Sequence, residues 1–357
     1  MVTGDLTSRG TPMEYSKCEE IIDRIILKTK LKKINIILSL GNHDFDRGVE
    51  AISATLNENI DCTKTCKEIQ NCYQKIAANI GQSFLRDNSF DTRGPAPFSG
   101  IINRKMVKFF VLNSGWKSSQ YDEICHGKLD MVQLDWFKEK AAENKDCKEW
   151  KILLLHHHPI AYPYPIPSHD PSLLAEGSDL VEAAGKNGFN LICHGHRHHP
   201  RAHSSSHDDW KNPMTFICAG SFSVNAHHRS GGEIPNCFHI LELLDREKRI
   251  IRLKTFQYRS SEGWVTSVNF SPSTPLDHDM YFSEPYNTDL RKAALLKIMK
   301  EIDMGESYEL PKWEELPWEL KTMPHGELNG LIDSSISLDE KRFGHYPDGV
   351  AIMRTGK

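Results

Sequence analysis

Four short clusters along the chain carry residue types that bind metal ions and move protons. They are Gly4-Asp5, Gly41-Asn42-His43-Asp44, His157 two places before Pro159, and Gly195-His196-Arg197-His198. Asp supplies an anionic oxygen, Asn a neutral one, and His either a ring lone pair or an N–H. Oxygen and imidazole donors gathered in one set suit a divalent transition ion. Asn, Asp and Gly are also common turn residues, so any one cluster alone reads equally as a turn. What sets these apart is their company: each follows an apolar run.

Those runs must do the positioning. Ile34–Leu40 reads as a buried parallel strand. Gly41 then lets the backbone turn at the strand's carboxyl end, which is where ligands sit in open α/β sheets. Met1-Val2-Thr3 reads as a stub of strand before Gly4-Asp5. Between the two, residues 12–31 predict a helix with Cys18, Ile21, Ile22, Ile25 and Ile26 on one apolar face. A helical crossover between parallel strands brings Asp5 and Asn42 together. Lys151–Leu155 predicts another buried strand, ending in His156-His157-His158-Pro159. Successive residues leaving a strand point to different sides, so one of these histidines reaches the site. Phe189–Cys193 delivers the last cluster; Gly195 frees the turn, and His196 and His198 face one side together.

Further strands are predicted at Ser99–Asn103, Val107–Asn113 and Met214–Gly220, with a hairpin from Cys237–Leu244 and Ile250–Tyr258. Helices are predicted near 63–85, 129–143, 172–186 and 287–303. In the helix at 129–143, Leu129, Met131, Leu134, Trp136 and Phe137 are the apolar residues. The basic, His-rich run up to His207 reads as a solvated loop. Residues 1–258 read as the core, with 48–97 as an insertion or cap suited to substrate selection. Residues 259–357 read as a C-terminal helix and an irregular appendage, lying on the core or on a partner subunit.

Composition bounds the rest. A chain of 357 residues, 39% hydrophobic and 26% charged, can bury a sizeable core. The net charge of -4 gives no case for nucleic-acid binding by bulk electrostatics. Nine cysteines, scattered and odd in number, do not frame a disulfide scaffold. They favour a reducing compartment, with Cys193 and Cys218 as core thiols. No signal peptide or membrane-spanning run is visible, so the expectation is a cytoplasmic protein with no membrane partner. Several motifs lead nowhere. Cys62, Cys66 and Cys72 match no zinc-finger spacing. Ser168-His169-Asp170 cannot form a hydrolytic triad, because a triad draws on separated segments. No Gly-rich phosphate loop follows a strand.

In order and spacing, the clusters resemble those of the calcineurin-like metallophosphoesterase superfamily. The run Gly4-Asp5-Leu6-Thr7-Ser8-Arg9-Gly10 is most similar to the branch of class III cyclic-nucleotide phosphodiesterases. The likeness covers about residues 1–258. It implies an α/β fold, a four-layer α-β-β-α sandwich of two mixed sheets flanked by helices. It implies two divalent ions, Mn, Fe, Zn or Ni, and a phosphoester substrate. Carried over, Asp5 bridges the ions. Asn42, His157 and His196 complete one site, and His198 binds in the other. His157 is chosen because the family ligand lies two residues before Pro. His43 sits over the phosphorus, stabilising charge or protonating the leaving oxygen, and Asp44 holds its other nitrogen. Paired dications lower the pKa of a shared water and neutralise phosphoryl oxygens. Arg9 and Arg197 read either as phosphate contacts or as plain surface arginines.

One element of the pattern is missing. The family begins with Asp-x-His on a first strand, and only three residues precede Gly4. The first ion then keeps Asp5 and His198 alone. Either the natural chain starts upstream, as the strand stub suggests, or this is a short, degenerate form. The leading reading is metal-dependent hydrolysis of a phosphodiester or phosphomonoester. The alternatives are a ligand-binding or regulatory module that keeps the fold without turnover, and a nuclease, which the absence of a basic, aromatic stripe disfavours. Oligomeric state stays open.

Overall fold

The computed structural model describes residues 1–8, 12–32, 35–44, 90–96, 98–115, 127–161, 172–223, 234–266, 276, 279–282, 288–301, 307–309, 316–321, 331, 340–346 and 349–354. The helix predicted at 63–85, most of the cap, Arg9 and the loop 162–171 lie outside them. The chain divides into two compact units. The first is Met1–Phe238 with Gln257–Val265 and Asn269–Leu276, and the second is His239–Phe256 with Thr266–Val268 and Asp277–Lys357.

The first unit starts with β1 (Val2–Thr3), α1 (Pro12–Thr29) and β2 (Leu38–Ser39). β1 and β2 pair in parallel, Val2 with Leu38 and Thr3 with Ser39. That register makes Gly4-Asp5 and Gly41-Asn42 leave their strands side by side. β2 is shorter than the run Ile34–Leu40 predicts, because a strand extends only where a neighbour pairs with it and β1 offers two residues. The inner face of α1 is Tyr15, Cys18, Ile22 and Ile26, packed on Ile36 and Leu38. Ile21 and Ile25, predicted on that face, are exposed. They sit one residue off the i, i+3, i+7, i+11 stripe that Tyr15 begins.

The main sheet is mixed and seven-stranded, with the order β3-β4-β5-β6-β7-β9-β8. Its members are β3 (Thr92–Arg93), β4 (Gly100–Arg104), β5 (Val107–Val111), β6 (Trp150–Leu154), β7 (Leu191–His194), β8 (Arg201–Ser205) and β9 (Met214–Cys218). β5, β6, β7 and β9 run parallel, and β3, β4 and β8 are antiparallel to their neighbours. β8 falls where a solvated loop was predicted. It pairs with β9 from Arg201↔Cys218 to Ser205↔Met214, and His203 stacks on Phe216 with ring centroids 5.2 Å apart. An edge strand tolerates such polar residues because one side has no partner to satisfy.

α2 (Met131–Glu143) and α3 (Gly177–Lys186) cover one face of this sheet. Phe110, Phe137 and Phe189 meet there edge-on or tilted, with centroids 4.8 to 6.0 Å apart. Each such pair adds about 0.5–1.5 kcal/mol beyond its area burial. Met131, predicted among the apolar residues, is exposed at the first turn. Asp130 caps α2 by accepting from Gln133 N. The buried Gln133 side chain then satisfies both backbone groups of Asn113, accepting from its N at 2.8 Å and donating to its O at 3.2 Å. That fixes the chain as it leaves β5. Lys151 lies inside β6, yet its Nζ reaches the carbonyls of Asn144 and Lys145, both at 3.1 Å, and of Asn187. These carbonyls end α2 and α3, where a cation complements the helix dipoles. A buried charge is thus satisfied while it ties both helices to the strand that delivers the histidines.

The second unit holds most of β10 (Cys237–Asp245) and β11 (Ile250–Arg259), which are neighbours in one sheet, and β13 (Asp279–Phe282), antiparallel to β11; β12 (Gly263–Thr266) is the fourth strand of that sheet. Arg252 forks onto the Asp279 carboxylate at 2.8 and 2.5 Å. α4 (Thr288–Glu301), β14 (Ser307–Glu309), α5 (Trp318–Lys321), β15 (Glu340–Tyr346) and β16 (Gly349–Arg354) follow. β14, β16 and β15 form an antiparallel sheet in a region predicted to be irregular. β15 and β16 pair from Glu340↔Arg354 to Tyr346↔Gly349.

Candidate metal centre

The site lies where β1, β2, β6 and β7 end. Gly4 has φ 96°, and a Cβ there would run into His156 and the Gly41 backbone. A Cβ on Gly41 would run into Asp5. Glycine at both places lets the two loops touch. Asp5, His196 and His198 take φ values of 55°, 76° and 56°. Each left-handed residue costs about 1–3 kcal/mol and persists only where surrounding contacts impose it, as at functional sites.

The carboxylate of Asp5 splits its duties. Oδ1 accepts from His43 N at 3.0 Å, and buried Oδ2 accepts no hydrogen bond but lies 3.3 Å from His156 Nε2. The same His156 Nε2 lies 3.1 Å from Asn42 Oδ1 and 3.1 Å from His196 Nδ1. Asn42 Oδ1 and His196 Nδ1 are 3.0 Å apart. On its other side, His156 Nδ1 is 2.6 Å from the carbonyl of Thr3. A carbonyl only accepts, so Nδ1 carries the proton, and in the neutral ring Nε2 is a lone pair. Potential ligand atoms of His156, Asn42, His196 and Asp5 therefore gather at one place. Ligands about 2.1 Å from an octahedral ion lie about 3.0 Å from one another, which is the spacing found. The donor set thus fits a divalent ion held by Asp5, Asn42, His156 and His196.

The electrostatics agree. Burial disfavours the charge on Asp5, but facing His156 outweighs it and holds the carboxyl below its usual range. Burial likewise acts against the His156 cation, and Asp5 outweighs it, so the ring's pKa is raised. Burial and then His156 push His196 well down. A proton on His156 is one way to balance this cluster, and a cation is another.

His156 takes the central place, and His157, the predicted ligand, stands beside it. The ladder explains why. Leu155 N donates to Cys193 O at 3.2 Å and Gly195 N to His156 O at 2.9 Å, so residue 156 is the last one held against β7, beside the turn that carries His196. His157 lies at the flank. Its Nδ1 is 2.9 Å from Ser114 Oγ, and its ring centroid is 4.5 Å from that of His196. A ring nitrogen of His157 still falls within 4.8 Å of its counterparts on His156 and His196. His158 turns away toward His194, with centroids 4.6 Å apart. His198 is half-buried in the same turn as His196, close enough that its charge bears on that ring.

Asp44 also departs from its predicted role. Its buried carboxylate accepts from Gly41 N and Thr7 N, both at 2.9 Å, and from Thr7 Oγ1 at 3.4 Å. His43 Nδ1 meets the Ser8 carbonyl at 3.1 Å instead. Asp44 thus pins the loop after β1 to the loop after β2, and is a positioning residue. Burial, with Asp5 behind it, pushes its carboxyl up to about 7 against the pull of the two N–H groups. Sequence reasoning also missed Thr3, Thr7 and Ser114, whose roles depend on contacts across 36 to 153 residues of chain.

A carboxylate, an amide and imidazoles at the strand ends of an α/β sheet are side chains that could hold a metal ion. The calcineurin-like phosphoesterase family matches the chain over residues 1–200, and the chain belongs to that family. No curated protein matches it. Among solved structures it is similar to GAP50, the anchor in the inner membrane complex of Plasmodium, at 14% identity and TM-score 0.28, covering 47% of this chain and 51% of that one. It is also similar to a dimetal phosphatase from Danio rerio, at 11% identity and TM-score 0.39, covering 74% of this chain and 89% of that one. The chain thus spans about half the length of the first of these. Neither likeness says what this chain acts on.

Proposed function

We propose that the chain hydrolyses a phosphoester, a phosphodiester or phosphomonoester, with divalent metal held by Asp5, Asn42, His156 and His196. The observation that carries this is the convergence of four metal-ligating side chains on one place, with His156 Nδ1 held on the far side by the Thr3 carbonyl. Bound metal there supplies Lewis acidity and an activated water. The chain's own residues do the rest. Asn42 and Asp5 set the two loops, and the His43 N–H to Asp5 Oδ1 places His43 at the outer edge. Its contact with the Ser8 carbonyl puts one proton on Nδ1, so a protonated ring presents Nε2–H to the leaving oxygen. Water forms a bond to phosphorus and releases one proton to solvent, the P–O bond to the leaving group breaks, and His43 gives its Nε2 proton to the leaving oxygen and is reprotonated from solvent. Arg197, between His196 and His198 in sequence, is the candidate for contact with phosphate oxygens. We propose His198, with Asp5, for a second ion. No helix among the described residues is long and apolar enough to cross a membrane. The five described cysteines are free thiols, which supports a reducing compartment such as the cytoplasm.

The test is metal removal from the full chain. Chelation is expected to abolish hydrolysis of bis(p-nitrophenyl) phosphate or p-nitrophenyl phosphate, and Mn, Fe, Zn or Ni to restore it. Asn42→Ala should stay inactive after repletion. Tight metal binding with no turnover on either substrate would overturn the proposal in favour of a binding module.

A further inference from the structure

Next to the site stands a second set of ligands that hydrolysis does not use. His158, His194 and Cys218 are buried, and one ligand atom from each lies within 4.8 Å of the others. Each comes from the carboxyl end of a different strand. His158 follows β6, His194 ends β7 and Cys218 ends β9, and those strands are adjacent in the order β6-β7-β9. His194 and Cys218 are direct partners in the parallel ladder. Cys218 Sγ also lies 3.6 Å from the carbonyl of Gly195. The rings of His158 and His196 are 6.4 Å apart, so this set is separate from the donors around Asn42.

We propose that His158, His194 and Cys218 bind a thiophilic d10 ion, Zn(II) or Cu(I), as a structural site. The donors decide the class. Two imidazoles and a thiolate suit zinc or cuprous copper, whereas Mg and Ca take oxygen ligands. A tetrahedral ion at the usual Zn–N and Zn–S bond lengths holds its ligand atoms about 3.3–3.6 Å apart, so binding draws together atoms that now lie within 4.8 Å of one another. Gly195 O is at hand as a further oxygen donor. Binding forms an S–metal bond and releases the thiol proton to solvent, with no change of oxidation state. A trio of neutral side chains packed for their own sake is the plainer reading. Against it stands the placement of a known ligand type at the end of each of three adjacent strands. Such an ion clips those strand ends together below the 195–198 turn, and so holds His196 in place.

The experiment uses metal-stripped full-length protein titrated with Co(II), then with Zn(II) or Cu(I) as competitor. Wild type is expected to develop a sulfur-to-cobalt charge-transfer band in the near ultraviolet. Cys218→Ser should lose the band, while Cys193→Ser and Asn42→Ala keep it. The competitor that abolishes it at one equivalent identifies the ion. His158→Gln keeps the thiol and should weaken cobalt binding at least tenfold, which settles the matter if Cys218→Ser does not fold. No band in wild type, a band that survives Cys218→Ser, or unchanged affinity in His158→Gln overturns the proposal. None of these readouts depends on phosphoester hydrolysis.

Discussion

His156→Ala is expected to lower metal-dependent kcat/KM on bis(p-nitrophenyl) phosphate by about 10²–10³-fold, a loss of ~3–4 kcal/mol of transition-state stabilisation. His156 Nε2 is the atom nearest Asn42, His196 and Asp5 together, and its other nitrogen is fixed by Thr3. His157→Ala should cost about tenfold, the effect of disturbing a neighbour of the ligands. His157 is held by Ser114 and packs beside His196. Steady-state kinetics of both variants at saturating Mn(II) checks the order. If His157→Ala is the more damaging, the assignment made by counting back from Pro159 is right and the geometry is wrong.

The second large effect is structural. Asp44→Ala removes the acceptor of three hydrogen bonds from Gly41 and Thr7 in a site closed to solvent. Each buried donor left without a partner costs about 1–3 kcal/mol, so the expected loss of stability is about 3 kcal/mol or more. It should appear as a lower denaturant midpoint at unchanged slope. Activity should fall with it, because the same bonds set the Asn42 loop. Were Asp44 instead the partner of His43, the substitution would change the acid limb of the pH–rate profile and leave the midpoint nearly where it was.

That Asp5, Asn42 and His196 lie close together was legible because they sit at strand ends. Apolar runs ending in Gly-Asp, Gly-Asn-His-Asp and Gly-His-x-His marked the carboxyl ends of β1, β2 and β7, and parallel pairing does the rest. What sequence could not settle was which of three consecutive histidines, all buried, stands nearest Asn42. That depends on how far the ladder between β6 and β7 runs past Leu154, and spacing to a proline does not report it. Asp44 misled for a related reason: adjacency to His43 suggested a pair, while the acceptor was claimed by Thr7, 37 residues away. The stripe on α1 was misplaced because isoleucines at 21 and 25 imitate a face that Tyr15 and Cys18 actually begin. β8 was hidden because an edge strand need not alternate cleanly, and β15–β16 because the tail's charged residues masked its strand pattern. The trio of His158, His194 and Cys218 has no motif at all, since it forms only once three strands are laid side by side.

Anomalous scattering from crystals soaked in Mn(II) tests the metal centre most directly. The expected result is a peak about 2.0–2.2 Å from Asn42 Oδ1, His156 Nε2, His196 Nδ1 and an Asp5 carboxylate oxygen. A peak coordinated by His157 with His156 outside the shell, or no peak among these residues at saturating manganese, would contradict it.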